Sequence, residues 1–551
     1  MSYLSGASPG TMEQWELVEG RYIDAELSGL SHRRRMAILL SVGLVTAIEI
    51  SNRLSVNVLL PDMQGNVAAS SDTISWVVVL YNLGFLVSLA LAGWMTRVFG
   101  ARRHLLYSIG LYSVGAFGCF LSAHSLGLLL MSRLIQGFGG GSFLVRAVIL
   151  ANLMFPGKLR IHAVTWLYAV LSFFEITYPI AMGWITDTIH WNYAFLIDFP
   201  FLILGAFLIL KFVPSGYLFR RRKEAHVDIR GALFLIASLA CLQVAVSRGE
   251  RDLWFEAFWI PPTLLVSLVC FIAFIWRDSR PQNADPVFHL RVIWRQAAVR
   301  TSLTVVLIVG AILGAGLYVV PQYLRYVQDY SATQTGGFIS MYTTGLGIGL
   351  VFSLRVLLPR YGGPATLGLG LCLLTVTCGS IIYIWTPTTP TIVLAPAILL
   401  QGFSLAPALL GASNVATANV PLPDLNDVST IYFFNRQLGN TFGITAVTVL
   451  FDHRMTFHSS RILDVSNRLD PTLRSTLSQY ASLIHRNGGG GSNPALGALQ
   501  LFQAEVITQS RLLSYIDVYF GLAAIAAVGL FLLAITRVET KHSEHHHFHT
   551  W

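Results

Sequence analysis

"LLLMSRLIQGFGGGSFLVRAVILANLM", residues Leu128 to Met154, is long and apolar enough to cross a bilayer as a helix, which takes about 20 such residues, yet it carries Arg133 and Arg146. A charge at the bilayer centre costs about 2.5–3.5 kcal/mol even on a lenient scale, so both arginines must face protein or water. The stretch therefore predicts a helix packed inside a bundle with polar chemistry in its interior. Outward from it, comparable windows recur along almost the whole chain, near 36–59, 73–95, 104–123, 126–150, 163–186, 193–212, 230–247, 257–276, 300–324, 334–356, 364–385, 390–412, 428–450 and 512–536. With 54% hydrophobic and 12% charged residues and a mean hydropathy of +0.61, the chain has too little polar surface to coat a soluble globule. The expectation is an all-α polytopic membrane protein with fourteen transmembrane helices.

Short cytoplasmic loops of membrane proteins are enriched in Lys and Arg. Placing the amino terminus inside puts about 24 of the 37 basic residues on that side, in runs such as Arg33 to Arg35 and Arg220 to Lys223. The short outer loops then hold only Arg248, Arg251 and Arg325. Both termini are thus expected in the cytoplasm. The net charge of +9 comes from these flanks and predicts contact with anionic lipid; no basic face with interleaved aromatics points to nucleic acid. Cys119, Cys241, Cys270, Cys372 and Cys378 all fall inside spans, as small apolar side chains rather than a disulfide framework. No cleavable signal is apparent, and "QWELVEGRYIDAEL" (Gln14 to Leu27) in the polar leader reads as an interfacial helix or a tail.

Two basic, non-apolar stretches, Pro214 to Arg230 and Arg277 to Arg300, divide the spans six, two and six. The expected organisation is a cytoplasmic tail (1–35), a six-helix bundle (36–212), linkers with two extra helices (213–299), a second six-helix bundle (300–536) and a tail (537–551). Two facing bundles place a substrate cavity at their interface near the midplane. The second bundle includes one large outer segment, Phe451 to Arg511, within which "RNGGGGSNP" reads as a flexible linker. The tail "KHSEHHHFHTW" reads as solvated chain, and no metal site is expected.

Outside loops and flanks the basic residues are Arg53, Arg133, Arg146 and Arg436, and the acids read as lying inside spans are Glu49 and Glu175. Helical spacing groups Arg133 with Gln136 and Gly137, Glu49 with Asn52 and Arg53, and Glu175 with Tyr178, Pro179 and Met182. Glu49 and Arg53 can neutralise each other, and Gly139 to Gly141 admit a neighbouring helix closely. Arg146, Asn57 and Arg436, with the aromatics Trp76, Tyr81, Phe173 and Tyr342, are candidates for lining the cavity; the plain alternative is packing or the interfacial belt. The four lysines offer no Gly-Lys-Ser/Thr phosphate loop, so a proton gradient, with no cofactor, is the expected drive. Proton exchange needs a carboxylate on which burial and a nearby cation act oppositely, so that protonation and substrate binding compete.

At these residues the chain resembles a family. "RLIQGFGGG" (Arg133 to Gly141), "GWMTRVFGARR" (Gly93 to Arg103) and "YPIAMGWITD" (Tyr178 to Asp187) resemble, in order, the fourth-span, second-loop and antiporter motifs of the major facilitator superfamily. The fourteen-span plan, with "NVLLP" (Asn57 to Pro61), "VPQYLRYVQDYSATQTG" (Val320 to Gly336) and "NRQLGNTFG" (Asn435 to Gly443), is similar to its EmrB/QacA drug:proton antiporter branch, and "SRGERDLWFEA" (Ser247 to Ala257) leans to the EmrB side. The resemblance implies proton coupling through Arg133, an antiporter helix shaped by Pro179 and Gly183, and gating by Gly93, Gly100, Arg102 and Arg103. Four positions depart from the pattern. Asn52 stands where an acid is usual and Arg53 where a small residue is usual, which moves the coupling acid one turn to Glu49. Arg97 replaces the common Asp of the loop motif, and Tyr178 replaces the Gly before Pro179. The resemblance further implies export of hydrophobic or amphipathic toxic compounds from a bacterial inner membrane, with a periplasmic membrane-fusion adaptor and an outer-membrane channel as partners.

Other classes fit the same residues less well. An enzyme is not expected, because the His residues lie in loops, tails or span ends and no His-Glu-x-x-His occurs; "GASPG" in the leader lacks the strand-turn-helix context of an esterase. The alternatives kept are export of one endogenous metabolite, such as a siderophore or toxin, and a transport-inactive receptor.

Overall fold

The computed structural model describes residues 30–155, 158–214, 228–249, 252–280, 287–288, 296–418, 420, 425–465, 471–486 and 494–535. The leader segment Gln14 to Leu27, most of the linker after Pro214, the Gly-Ser tract and the His-rich tail lie outside them. Among the described residues all regular structure is helical. The first bundle holds α1 (His32–Asn66), α2 (Ser71–Phe99), α3 (Ala101–Leu121), α4 (Leu126–Gly140), α5 (Phe143–Met154), α6 (Lys158–Thr188) and, after a 3-10 turn at Trp191–Ile197, α7 (Asp198–Phe212). An antiparallel pair, α8 (Ile229–Arg248) and α9 (Ile260–Asp278), follows. The second bundle holds α10 (Ala297–Tyr326), α11 (Ala332–Phe352), α12 (Leu358–Ile384), α13 (Thr391–Thr417), α14 (Leu425–Val465), α15 (Pro471–Arg486) and α16 (Pro494–Ile535).

Twelve stretches among the described residues are long and apolar enough to span. One of them, Ala332–Ile384, has 53 residues; at 1.5 Å per residue it would reach about 80 Å, far beyond a core about 30 Å thick. It folds back at Gly362, whose φ of 73° only glycine adopts readily, giving α11 and α12. The polar-studded α14 completes fourteen crossings.

The stretch Leu128 to Met154 crosses as two helices, not one: α4 ends at Gly140 and α5 begins at Phe143. Its glycines bring the backbone against three neighbours at once. A Cβ on Gly140 would sit 2.7 Å from Cγ of Glu49 on α1, while Gly137 lies against the Tyr81 carbonyl on α2 and Gly139 against α3 at Ser108 and Tyr112. The second bundle repeats the device between α10 and α14, where Gly310 abuts the carbonyl of Arg436. Without a hydrophobic drive between helices in lipid, such close approach is what gives the bundles their cohesion.

The side on which α1 begins is called the near side here. At the far side the bundles are cross-linked. Arg325 (α10) pairs with Asp62 (α1) at 2.8 Å, and Tyr326 donates to Gln64 at 3.0 Å. Asp187 at the end of α6 accepts from the backbone N–H groups of Ala332 (3.2 Å) and Thr333 (2.8 Å) and the Thr333 hydroxyl (2.5 Å), capping α11 from across the interface.

The outer segment departs from the expected loop. α14 runs on to Val465 and α16 begins at Pro494, so most of Phe451 to Arg511 is helical, with α15 packed on α16. Asp517 binds Arg454 and His458, each at 2.6 Å, and Phe451 stacks on Tyr515, fastening the two long helices where they leave the apolar zone. The sequence between the spans is rich in residues that tolerate helix, and the glycines that read as a linker occupy only a few positions within it.

Candidate transport cavity

Between the bundles lies a cavity of about 100 Å³. Drug-sized ligands occupy roughly 300–1,000 Å³, so this is a closed-down form of the site. The wall from α6 is one helical stripe, Tyr168, Leu171, Ser172 and Glu175, at spacings of three and four. Tyr432, Phe433, Arg436 and Gln437 of α14 and Tyr342 of α11, which packs against α6, also line the cavity. These residues lie from mid-membrane towards the near side, and the cross-links just described seal the far side.

A chain of polar contacts runs from the cavity into the first bundle. Arg53, on the wall, pairs with Glu49 at 3.1 Å and donates to Gln437 Oε1 at 2.9 Å. Gln437 in turn donates to Asn82 of α2 at 3.1 Å, so this ion pair bridges both bundles. Tyr81 donates to Glu49 at 2.8 Å. The guanidinium of Arg133 lies 4.2 Å from the centre of the Tyr81 ring and donates to Gln136 (2.7 Å), Asn52 (3.3 Å) and the Val77 carbonyl (3.4 Å). It is 1% exposed. A cation so sheltered is tolerable only because hydrogen bonds and a ring face replace its hydration. That answers what one membrane-depth arginine does locally: it ties α1, α2 and α4 together.

The second arginine does something else. Arg146 was expected at the cavity, but it turns inward at the near side of the first bundle, where it contacts the Ala92 carbonyl at 2.7 Å, Thr96 and Nδ1 of His104 at 2.6 Å. Thirteen residues at about 100° each put Arg146 on the face opposite Arg133, and the turn at Gly141 and Ser142 that separates α4 from α5 leaves it there. Beside it, Gly100 (φ 79°) turns α2 into α3, and Arg102 donates to the Leu210 carbonyl at 2.7 Å, clamping that turn to α7. Gly93 and Arg103 lie on exposed faces.

Other candidates for the lining separate by depth. Tyr342 and Arg436 are on the wall. Tyr178, Pro179 and Gly183 continue the α6 stripe beyond the cavity, where Pro179 and Gly183 press against Gly336 and Ala332 of α11 and Tyr178 is buried. Asn57 donates to the Leu317 carbonyl at 3.1 Å in the sealed far half. Tyr81 is fully buried behind Glu49, and Phe173, 60% exposed, faces outward as a lipid-side residue. Those six, with Arg146, lie off the cavity wall, because the α6 stripe lines the cavity only along its near half.

The model of the major facilitator superfamily matches residues 42–444. The chain belongs to that superfamily. It is 25% identical over 508 residues to the multidrug export protein EmrB of Haemophilus influenzae, covering 90% of this chain and 94% of that one. It is 27% identical over 417 residues to the multidrug resistance protein Stp of Mycobacterium tuberculosis, 76% of each chain. Among solved structures, the fold is similar to the POT family transporter PepTSo (TM-score 0.58, 15% identity, 92% and 98% covered) and to the human organic anion transporter MFSD10 (0.55, 13%, 92% and 100%).

Within this major facilitator fold two acids inside expected spans escaped the sequence reading, Asp517 on α16 and, at the centre of the first bundle, Asp198. Asp198 opens α7, fully buried, and accepts from Asn52 at 2.9 Å and from the Tyr178 hydroxyl. Asn52 thus links a carboxylate on one side to Arg133 on the other. The position where the family resemblance expects a first-span acid holds an amide, and the acid comes from α7 instead. Asp198 lay inside the expected span 193–212, so the signal was available: an acid within an apolar window.

Proposed function

We propose that the chain exports hydrophobic or amphipathic compounds in exchange for protons. The observation that carries this is Glu175: a carboxylate on the cavity wall whose side chain has no hydrogen bond or ion pair among the described residues, beside the bridging Glu49–Arg53 pair. A proton and a substrate can compete for such a group. Protonation from outside neutralises it, the substrate leaves outward, and the protonated site returns inward. The names of the EmrB and Stp relatives support drugs as cargo.

With the basic flanks inside, both termini are cytoplasmic, the near side faces the cytoplasm, and the membrane is a bacterial inner membrane. Arg133, with Asn52 and Asp198, acts on the coupling groups by fixing α1 against α2 and α4. Gly93, Gly100, Arg102 and Arg103 act at the near-side gate. The far-side helical projection, with Leu483, Leu496 and Leu499 about half exposed, is the docking surface for a membrane-fusion adaptor leading to an outer-membrane channel. Replacing those leucines with Asp is expected to abolish co-purification with the adaptor.

The central test is Glu175→Gln and Glu49→Gln, made separately, in proteoliposomes with a pH gradient. Each is expected to lose proton-coupled transport by at least about tenfold, the order of one removed charge interaction. Full coupled transport in both variants overturns the proposal.

A further inference from the structure

The cavity holds one cation and one anion that make no hydrogen bond or ion pair with the fold among the described residues and feel neighbouring charges only at a distance. Arg53 is spent on Glu49 and Gln437. Arg436 is not: its guanidinium lies 5.1 Å from the Phe433 ring and has no hydrogen bond or ion pair among the described residues. Its position is nonetheless fixed, because its backbone carbonyl abuts Gly310 of α10. The Glu175 carboxylate, on the same cavity wall but from the other bundle, likewise has no hydrogen bond or ion pair among the described residues, though it lies within electrostatic range of Arg53 and Arg436. The rings of Tyr168, Tyr342, Tyr432 and Phe433 line the same cavity. The Tyr342 hydroxyl is buried with no hydrogen-bond partner among the described residues. A buried carboxylate and a half-buried guanidinium without direct contacts are best matched by what binds there, since each has lost hydration that distant charges replace only in part.

We infer that the cargo is amphoteric: an apolar or aromatic body with an acidic group that pairs with Arg436 and a basic group that pairs with Glu175. This rests on the exporter proposal and names its substrate class. A guanidinium matches a carboxylate or sulfonate bidentately, and the rings receive the body. A permanent cation leaves Arg436 unmatched, and a permanent anion leaves Glu175 unmatched. The exchange logic follows from the same geometry. A proton on Glu175 displaces the ammonium end, while Arg436 alone is too weak an anchor to retain the cargo. The two holding groups sit on different bundles, so the ligand itself joins the halves that must rock apart.

The test uses full-length protein in nanodiscs and four related probes: norfloxacin, its methyl ester (acid blocked), N-acetyl norfloxacin (base blocked) and the doubly blocked compound, titrated calorimetrically at pH 7. Norfloxacin is expected to bind at least about tenfold more tightly than either singly blocked form, one charge-assisted contact each. Arg436→Gln is expected to abolish the penalty for the ester but keep that for the acetyl form; Glu175→Gln should do the reverse, and Arg436→Lys should restore part of the ester penalty. Equal binding of norfloxacin and its ester to the unaltered protein, or no binding of norfloxacin, overturns the inference; so does an ester penalty that survives Arg436→Gln in a variant that elutes as a folded monodisperse species. Proton release on adding probe to proteoliposomes separates the two claims. Binding with both penalties but no proton movement sinks the exporter proposal alone, whereas proton movement driven equally well by the ester sinks the amphoteric cargo alone.

Discussion

The two six-helix bundles treat charge differently. The first buries Glu49, Arg133, Arg146, Glu175 and Asp198, whereas the second, among its described residues, buries amides such as Gln322, Gln401, Gln437 and Asn440 but no Asp, Glu, Lys or Arg, and offers only the half-buried Arg436 to the cavity. Both are held by close helix contacts at glycine. Cohesion is therefore common to the halves, while ionisation is the specialty of one. The lesson is that a pseudo-symmetric fold can divide labour: one half carries groups able to change charge, and the other presents a fixed cation and a packed wall.

The sharpest way to break this comparison is to remove one arginine from each half. Arg133→Leu strands Asn52 and Gln136 and takes the cation from beside Asp198; it is expected to cost about 3–5 kcal/mol, as for a buried charge network broken from one side, read as a large drop in thermal midpoint in detergent. Arg436→Leu, which strands no partner, should cost under about 1 kcal/mol. Equal losses would end the distinction. Next, Gly140→Ala and Gly310→Ala should each cost about 1–3 kcal/mol by overpacking, and similar values in the two bundles would support shared cohesion. Asp198→Asn retains an acceptor for Tyr178 and is expected to cost no more than about 1.5 kcal/mol, the scale of one hydrogen bond, yet to lower proton-coupled transport severalfold; unchanged transport would confine the ionisable chemistry to the cavity. Smallest of all, Arg325→Gln should change stability by less than about 1 kcal/mol, because the pair with Asp62 is partly solvated, while raising the labelling of a cysteine placed at Asn57 by a membrane-impermeant reagent from the far side.

Much of this was readable from hydropathy and spacing. The fourteen crossings, the Glu49–Arg53 pair and the Arg133–Gln136 contact follow from apolar length and from neighbours three or four apart, which are local properties of a helix. What escaped was set by tertiary depth. Tyr178 and Glu175 share a stripe, yet one meets Asp198 in a closed core and the other meets the cavity; no periodicity encodes where α11 stops touching α6. Asp198 was lost because a single acid hardly lowers the mean of a window as apolar as Trp191–Phe212, whose mean hydropathy is 2.2. Arg146 was misplaced because spacing along a helix does not say that its side chain turns to the Ala92 carbonyl, Thr96 and His104 inside the first bundle.

The far-side projection is continuous with the core. α14 and α16, of 41 and 42 residues, each extend roughly 60 Å, twice the apolar thickness, and they are fastened to each other where they emerge. A rocking of the second bundle too slight to notice at the cavity is thereby magnified at the tip, as at the end of a pointer. A pair of spectroscopic labels on α15 and on the far end of α6 would follow the transport cycle from outside the membrane, with no probe placed in the site itself.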